Sequence, residues 1–211
     1  MASTAGGDDQ GVFDQLIGVG RRDGERRAYS GLVPAESANP AAPSPVTEDD
    51  HVLGSAEPAV TLIEYGDFGC PHCFASWRPV ESLLWRYEGL RLVWRHFPDP
   101  QLHPRADLAA ELSELAATQG KFWQAHSQLL AGRERFSHEG LLEVADRLEL
   151  DHELAETALR DHTFRNPVEE DLADGERAGV NGTPTFFIDG VRLVGHWRQL
   201  AQMIPSAMEK A

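Results

Sequence analysis

Cys70 and Cys73 are the only cysteines in the chain, and only Pro71 and His72 separate them. No disulfide can therefore tie distant parts of the backbone together, and the fold has to be held by its core. Of the 211 residues, 41% are hydrophobic, enough to build one domain of ordinary or slightly large size with an appended segment. The two sulfurs are close enough in the chain to bond to each other, which predicts a protein that works by making or breaking that bond. An isolated Cys-x-x-Cys in a reducing compartment is catalytic or metal-binding more often than structural.

The residues around the pair set the fold class, which reads as α/β. Ala59 to Tyr65 is a β-branched and aromatic run of strand length, followed by the turn Gly66-Asp67-Phe68-Gly69. The cysteines then open a helix that Ser76 to Tyr87 continues, with Val80, Leu83, Leu84 and Tyr87 as its apolar stripe and Pro79 expected to bend it. Leu90 to Phe97 reads as a second strand. Strand, helix and strand at this spacing predict a parallel, right-handed βαβ unit.

From Pro104 to Asn181 the apolar residues repeat at helical spacing, with Gly120, Gly132, Ser137 and Asp151 as caps or turns. That stretch predicts a helical insertion over about residues 104–181. Thr185 to Ile188 and Val191 to Val194 flank Asp189-Gly190, a strong hairpin signal. A closing helix over Trp197 to Met208 is expected to break at Pro205. The order is βαβ, helical insertion, ββα.

Residues 1–50 read differently, and the folded domain is placed at 51–211. Ser37 to Thr47 has the Pro, Ala and Ser content of an extended linker. Before it, Val12, Phe13, Leu16 and Ile17 form a weak apolar patch ahead of Arg21, Arg22, Arg26 and Arg27. The segment reads as a disordered tail with a short transient helix; a docking peptide or the remnant of a fused neighbour is the other reading. The acidic residues outnumber the basic ones by 34 to 19, a formal net charge of -15, which argues against a nucleic-acid partner. No run approaches the roughly 20 apolar residues of a membrane span. Met1 to Gln10 lacks the basic and apolar regions of a secretory signal, so the expected location is cytoplasmic.

The site chemistry follows from the helix start. A thiol with its free pKa of about 8.5 attacks slowly at neutral pH. At a helix N-terminus, unpaired N–H groups and the dipole stabilise a Cys70 thiolate. His72 adds to this if it is charged or donates a hydrogen bond, and Pro71 suits the first turn, where a missing N–H costs nothing. Stabilising the thiolate makes the disulfide a better oxidant. Cys70, at an exposed helix tip, is predicted to attack; Cys73, one turn inside and shielded, is predicted to resolve the mixed disulfide. Glu64 on the first strand reads either as a carboxylate partly buried beneath the site, able to shuttle the Cys73 proton, or as an exposed strand-face residue. Pro184 after Thr183 belongs at a strand entrance, since it cannot donate to a ladder.

Glu64-Tyr65-Gly66-Asp67-Phe68-Gly69-Cys70-Pro71-His72-Cys73 and Gly182-Thr183-Pro184-Thr185-Phe186-Phe187-Ile188-Asp189-Gly190 together resemble the DsbA-like thiol:disulfide oxidoreductases of the thioredoxin superfamily. The likeness covers about residues 50–208. It implies a thioredoxin-like fold with a helical insertion, a cis Thr183-Pro184 bond facing the cysteines, and substrate peptide paired to Thr183 and Pro184 in an extended conformation. It also implies an acid at Glu64 and a Pro-His dipeptide typical of oxidising members. Arg95-His96-Phe97-Pro98 with His103-Pro104 looks like the cytoplasmic or fused branch of that family.

The expected activity is thiol–disulfide exchange on protein or peptide substrates with a separate redox partner and no cofactor, oxidase or reductase direction left open. The alternative is a redox-switch or chaperone-like binding module whose disulfide only changes its shape. A metal site is not expected. Zinc would need a second ligand pair, and His96, His103, His126, His138, His152, His162 and His196 show no tight ligand spacing and read mostly as surface or helix-face residues.

Overall fold

The computed structural model describes residues 42–132 and 136–211. The apolar patch at Val12–Val19, its following arginines and the first half of the expected linker lie outside them. Five strands, β1 (His51–Gly54), β2 (Val60–Gly66), β3 (Leu90–His96), β4 (Thr185–Ile188) and β5 (Val191–Arg192), form one sheet in the order β1-β3-β2-β4-β5. β2 and β3 pair in parallel, as the βαβ reading requires, and every other neighbour is antiparallel. Both central strands are buried along nearly their whole length, the reason each reads as a continuous apolar run instead of an alternating one.

Alternate residues of β2 serve different layers. Leu62 and Glu64 stand opposite Leu92 and Trp94 of β3 and share their face with α1 (Pro71–Arg86) and α7 (Leu200–Met208). Ile63 and Tyr65 join Val93, Phe187, Ala178 and Val180 in a second cluster on the other face, beside α6 (Arg165–Arg177). Between β3 and β4 come α2 (Ala106–Thr118), α3 (Phe122–Ala131), α4 (His138–Arg147), α5 (His152–Asp161) and α6. Their apolar stripes pack into one core that also contains Phe68, Cys70, Cys73 and Trp94. The helical insertion therefore closes directly against the cysteine site.

The local signals act as expected in several places. Ser137 Oγ accepts from the N–H of Gly140 and Asp151 Oδ1 from that of Leu154, capping α4 and α5. Asp189 and Gly190 both adopt positive φ, 48° and 78°, the conformation a tight two-residue hairpin turn demands. Other details differ. β1 is an additional antiparallel strand that a four-residue His-Val-Leu-Gly run does not announce. The closing segment starts as a 3-10 turn (Trp197–Gln199), and α7 then runs through Pro205 without a break. Burial of Leu200, Met203, Ile204 and Ala207 outweighs the one hydrogen bond that proline removes.

Residues 44–50, placed by sequence in the tail, are held on the sheet. Arg95 on β3 binds Asp50 through Nε and Nη2 at 2.8 and 3.0 Å and Asp174 of α6 through Nη1 at 2.7 Å. Asp174 also accepts from the Tyr65 hydroxyl and from Ser44. The Arg95 side chain is almost wholly buried, so its charge needs both carboxylates.

Candidate active site

β2 delivers the chain to a turn at Asp67–Gly69, and α1 begins at Pro71 with Cys70 as its N-cap residue. Pro71 occupies the first helical position, where the absent N–H has no partner to lose. The geometry corrects one expectation: Cys70 is not exposed. It is 3% accessible and Cys73 is 0% accessible, while Pro71 and His72 between them face solvent. Both cysteines are free thiols.

The two thiols have opposite tendencies. Cys70 is pulled down to about 5, first by a hydrogen bond from the Cys73 side chain, with burial opposing. A hydrogen bond from the Thr183 side chain and the backbone N–H groups of Cys73 and His72 add to the lowering. His72 thus acts on Cys70 through its backbone. Cys73 is pushed well above its ordinary value, first by burial, then by its bond to Cys70 and the nearby negative charge of Glu64.

Glu64 is not an exposed strand residue. It is 1% accessible, with Oε1 taking a 3.4 Å contact from the Ser76 hydroxyl and Oε2 without a protein partner. Burial, the largest cause, raises its pKa to about 8. Across the sheet the Thr183–Pro184 bond is cis, and Cys70 Sγ lies 3.3 Å from the Thr183 carbonyl oxygen, to which the thiol form can donate. All seven residues singled out from sequence thus gather at one end of β2, β4 and α1.

Two residues at the site went unassigned by sequence. Asp67, in the turn, has a wholly buried carboxylate paired with His103 Nδ1 at 2.8 Å. His103 packs on Gly69, where an added Cβ would lie 2.4 Å from the His103 Cβ. The partners are 36 residues apart, and no local pattern links them.

The surface reading fails for His96, which lies in the core, while His126 is a helix-face residue on the buried apolar stripe of α3. His126 sits among Trp77, Trp94 and Phe68, and burial pushes its pKa well below the ordinary value. His51, His96 and Glu114 bring ligand-type atoms within 4.8 Å of one another, the one such group among the described residues. His51 Nε2 and His96 Nε2 both reach Glu114 Oε1, at 2.6 and 2.8 Å. Trp94 Nε1 can only donate, so His96 Nδ1 accepts from it and the His96 proton sits on Nε2. A metal there would have to displace that proton and break the Trp94 bond. As arranged, the trio is a hydrogen-bonded lock joining β1, β3 and α2, and its two donors hold Glu114 down at about 2 against burial.

A cysteine pair at the start of the helix after a central strand, faced by a cis-proline at the entrance of a neighbouring antiparallel strand, defines a protein of the thioredoxin fold. A family model described as Thioredoxin matches residues 46–204, and the chain belongs to the thioredoxin family. A thioredoxin-like oxidoreductase from Silicibacter pomeroyi DSS-3 superimposes with a TM-score of 0.68 at 28% identity, covering 78% of this chain and 95% of that one. BdbD from Bacillus subtilis gives 0.71 at 19% identity over 82% of this chain and all of that one. The fold, helical insertion included, is DsbA-like. In sequence the chain is 40% identical over 170 residues to a protein named Na(+)/H(+) antiporter NhaA 3 of Salinispora tropica. It is 42% identical over 154 residues to one named Na(+)/H(+) antiporter NhaA 1 of Salinispora arenicola. It spans 79% and 72% of this chain in those matches but about a quarter of either relative. Among the described residues no helix is long and apolar enough to cross a membrane.

Proposed function

We propose that the chain is a protein thiol–disulfide oxidoreductase in which Cys70 attacks and Cys73 resolves. The observation that carries this reading is the asymmetry between the two thiols, one drawn to about 5 and the other pushed above its ordinary value within a single helical turn. At neutral pH Cys70 is then mostly thiolate, the form that attacks, and Cys73 keeps its proton.

In the reducing direction the Cys70 thiolate attacks one sulfur of a substrate disulfide. The S–S bond breaks and the other substrate sulfur leaves as a thiolate. Cys73 then loses its proton to Glu64 and attacks Cys70 Sγ, which releases the second substrate thiolate and leaves the Cys70–Cys73 disulfide. Two electrons pass from the pair to the substrate. The oxidising direction is the same sequence reversed. Glu64 supports this role because its raised pKa lets it take and return a proton near neutrality, and its unpartnered Oε2 leaves room for one.

Thr183 supports a docking role for extended peptide, since its carbonyl oxygen is the atom beside Cys70 Sγ. Phe74, next to Cys73 in the chain, and Leu102, next to His103, are exposed apolar side chains, of a kind suited to protein substrates. Repeated oxidation or reduction of a dithiol peptide, with Cys70→Ser inactive and Cys73→Ser trapping a mixed disulfide, is the expected result. A single stoichiometric exchange with no turnover would instead identify a redox switch. Absence of any trapped species in the Cys73 variant would overturn the assignment of the nucleophile.

A further inference from the structure

We propose that His103 is a positioning residue for the Cys70–Cys73 pair, acting through the carboxylate of Asp67; the inference rests on the oxidoreductase reading. Asp67 carries the turn before the cysteines. Its Oδ1 accepts from the N–H of Gly69 at 2.7 Å, and Oδ2 accepts from the N–H of Asp99 at 2.9 Å and from His103 Nδ1 at 2.8 Å. The backbone of the same residue faces the sulfurs. Its carbonyl accepts from the N–H of Cys70 at 3.0 Å, and its N–H donates to Cys73 Sγ at 3.5 Å. Whatever fixes the Asp67 side chain therefore fixes the backbone donor to the resolving sulfur.

His103 is the one side-chain donor in this set. It arrives from the turn at Asp99–His103, closed by its own N–H on the Asp99 carbonyl at 2.7 Å. It lies against the Cα of Gly69, where a side chain would collide with it. The remaining two donors to Asp67 are backbone groups of that same turn and of the cysteine turn. The Asp67 carboxylate thus ties the two turns together, with His103 as the clamp.

Removing the His103 donor has two effects of one sign. The turn loosens, so the N–H aimed at Cys73 Sγ is less well placed. The buried Asp67 carboxylate also loses one of its three compensating hydrogen bonds, so the turn whose carbonyl accepts from the Cys70 N–H is held less firmly. Both effects destabilise the dithiol form relative to the disulfide.

The test is the equilibrium constant of the full chain with glutathione, for wild type, His103→Ala, His103→Asn and His103→Gln. An Asn amide places an N–H where Nδ1 stands, whereas a Gln amide places it near the Nε2 position. The Ala and Gln variants are expected to shift the constant about tenfold toward the disulfide, equivalent to about 30 mV for a two-electron couple, and Asn to restore most of it. Gln keeps a polar side chain of similar volume, so the comparison survives an Ala variant that does not fold. Ala and Gln variants matching wild type, or Asn as displaced as Gln, would overturn the inference. The constant is measurable whether or not the protein turns over a substrate, so loss of the enzyme reading and loss of this one are separate results.

Discussion

Cys70 and Glu64 titrate in opposite directions within one site, and that opposition can be measured. With Cys70 drawn to about 5, its alkylation rate should rise with pH and level off above a midpoint near 5, read by mass spectrometry of the labelled protein. A midpoint near the free-thiol value of about 8.5 would contradict the described environment. Glu64 carries a cost. Its folded pKa of about 8 lies above the usual 4.5, so it favours the folded state below pH 4.5 and loses that contribution as pH rises toward 8. Glu64→Gln should therefore stabilise the reduced protein at pH 7, by on the order of 1–3 kcal/mol in a denaturant titration. The same change should slow resolution of the mixed disulfide. The residues proposed to do the chemistry were legible because each announces itself locally: a cysteine pair, a proline before a strand, an acid in an apolar run. Asp67 with His103, and His51 with His96 and Glu114, were not, because each group exists only after the sheet and α2 have brought distant residues together.

Among the elements, the helices of the insertion were readable from their stripes and caps, and β2, β3 and β4 from apolar runs. β1 was not, since half of its four residues face outward and its partner β3 supplies the register. Nor was the docking of residues 44–50, which depends on two carboxylates meeting Arg95 from opposite ends of the chain. Asp174→Ala removes one of these and leaves the Tyr65 hydroxyl and Ser44 without their acceptor. Breaking a buried pair of this kind costs about 3–5 kcal/mol, so the variant should unfold at lower denaturant. Its residues 42–50 should also become cleavable by a protease under conditions that spare wild type. Unchanged resistance at that segment would mean that other contacts hold it.

For the whole molecule, redox state and stability are linked. The Cys70 thiol lies lower in the folded chain than in the unfolded one, so it favours folding above the unfolded value near 8.5 and loses that contribution as pH falls through about 5. The oxidised protein has no such thiol and keeps only the opposing slope of Glu64. Reduced protein should therefore be the more stable form at pH 8, with the difference shrinking toward pH 5, as thermal unfolding of the two forms across that range would reveal. An oxidised form more stable than the reduced one at pH 8 would contradict the thiolate-stabilising geometry.

The separation of the two halves of the site along the chain has a further consequence. Five helices stand between the cysteines and Thr183, and β4 reaches Cys70 only by pairing with β2 across that gap. Until then Cys70 has the Cys73 side chain and the backbone N–H groups of its own helix but lacks the Thr183 contact, one of the contributions that lower its pKa. A growing polypeptide thus makes the cysteine half of the site first and completes it only after another 113 residues have been added.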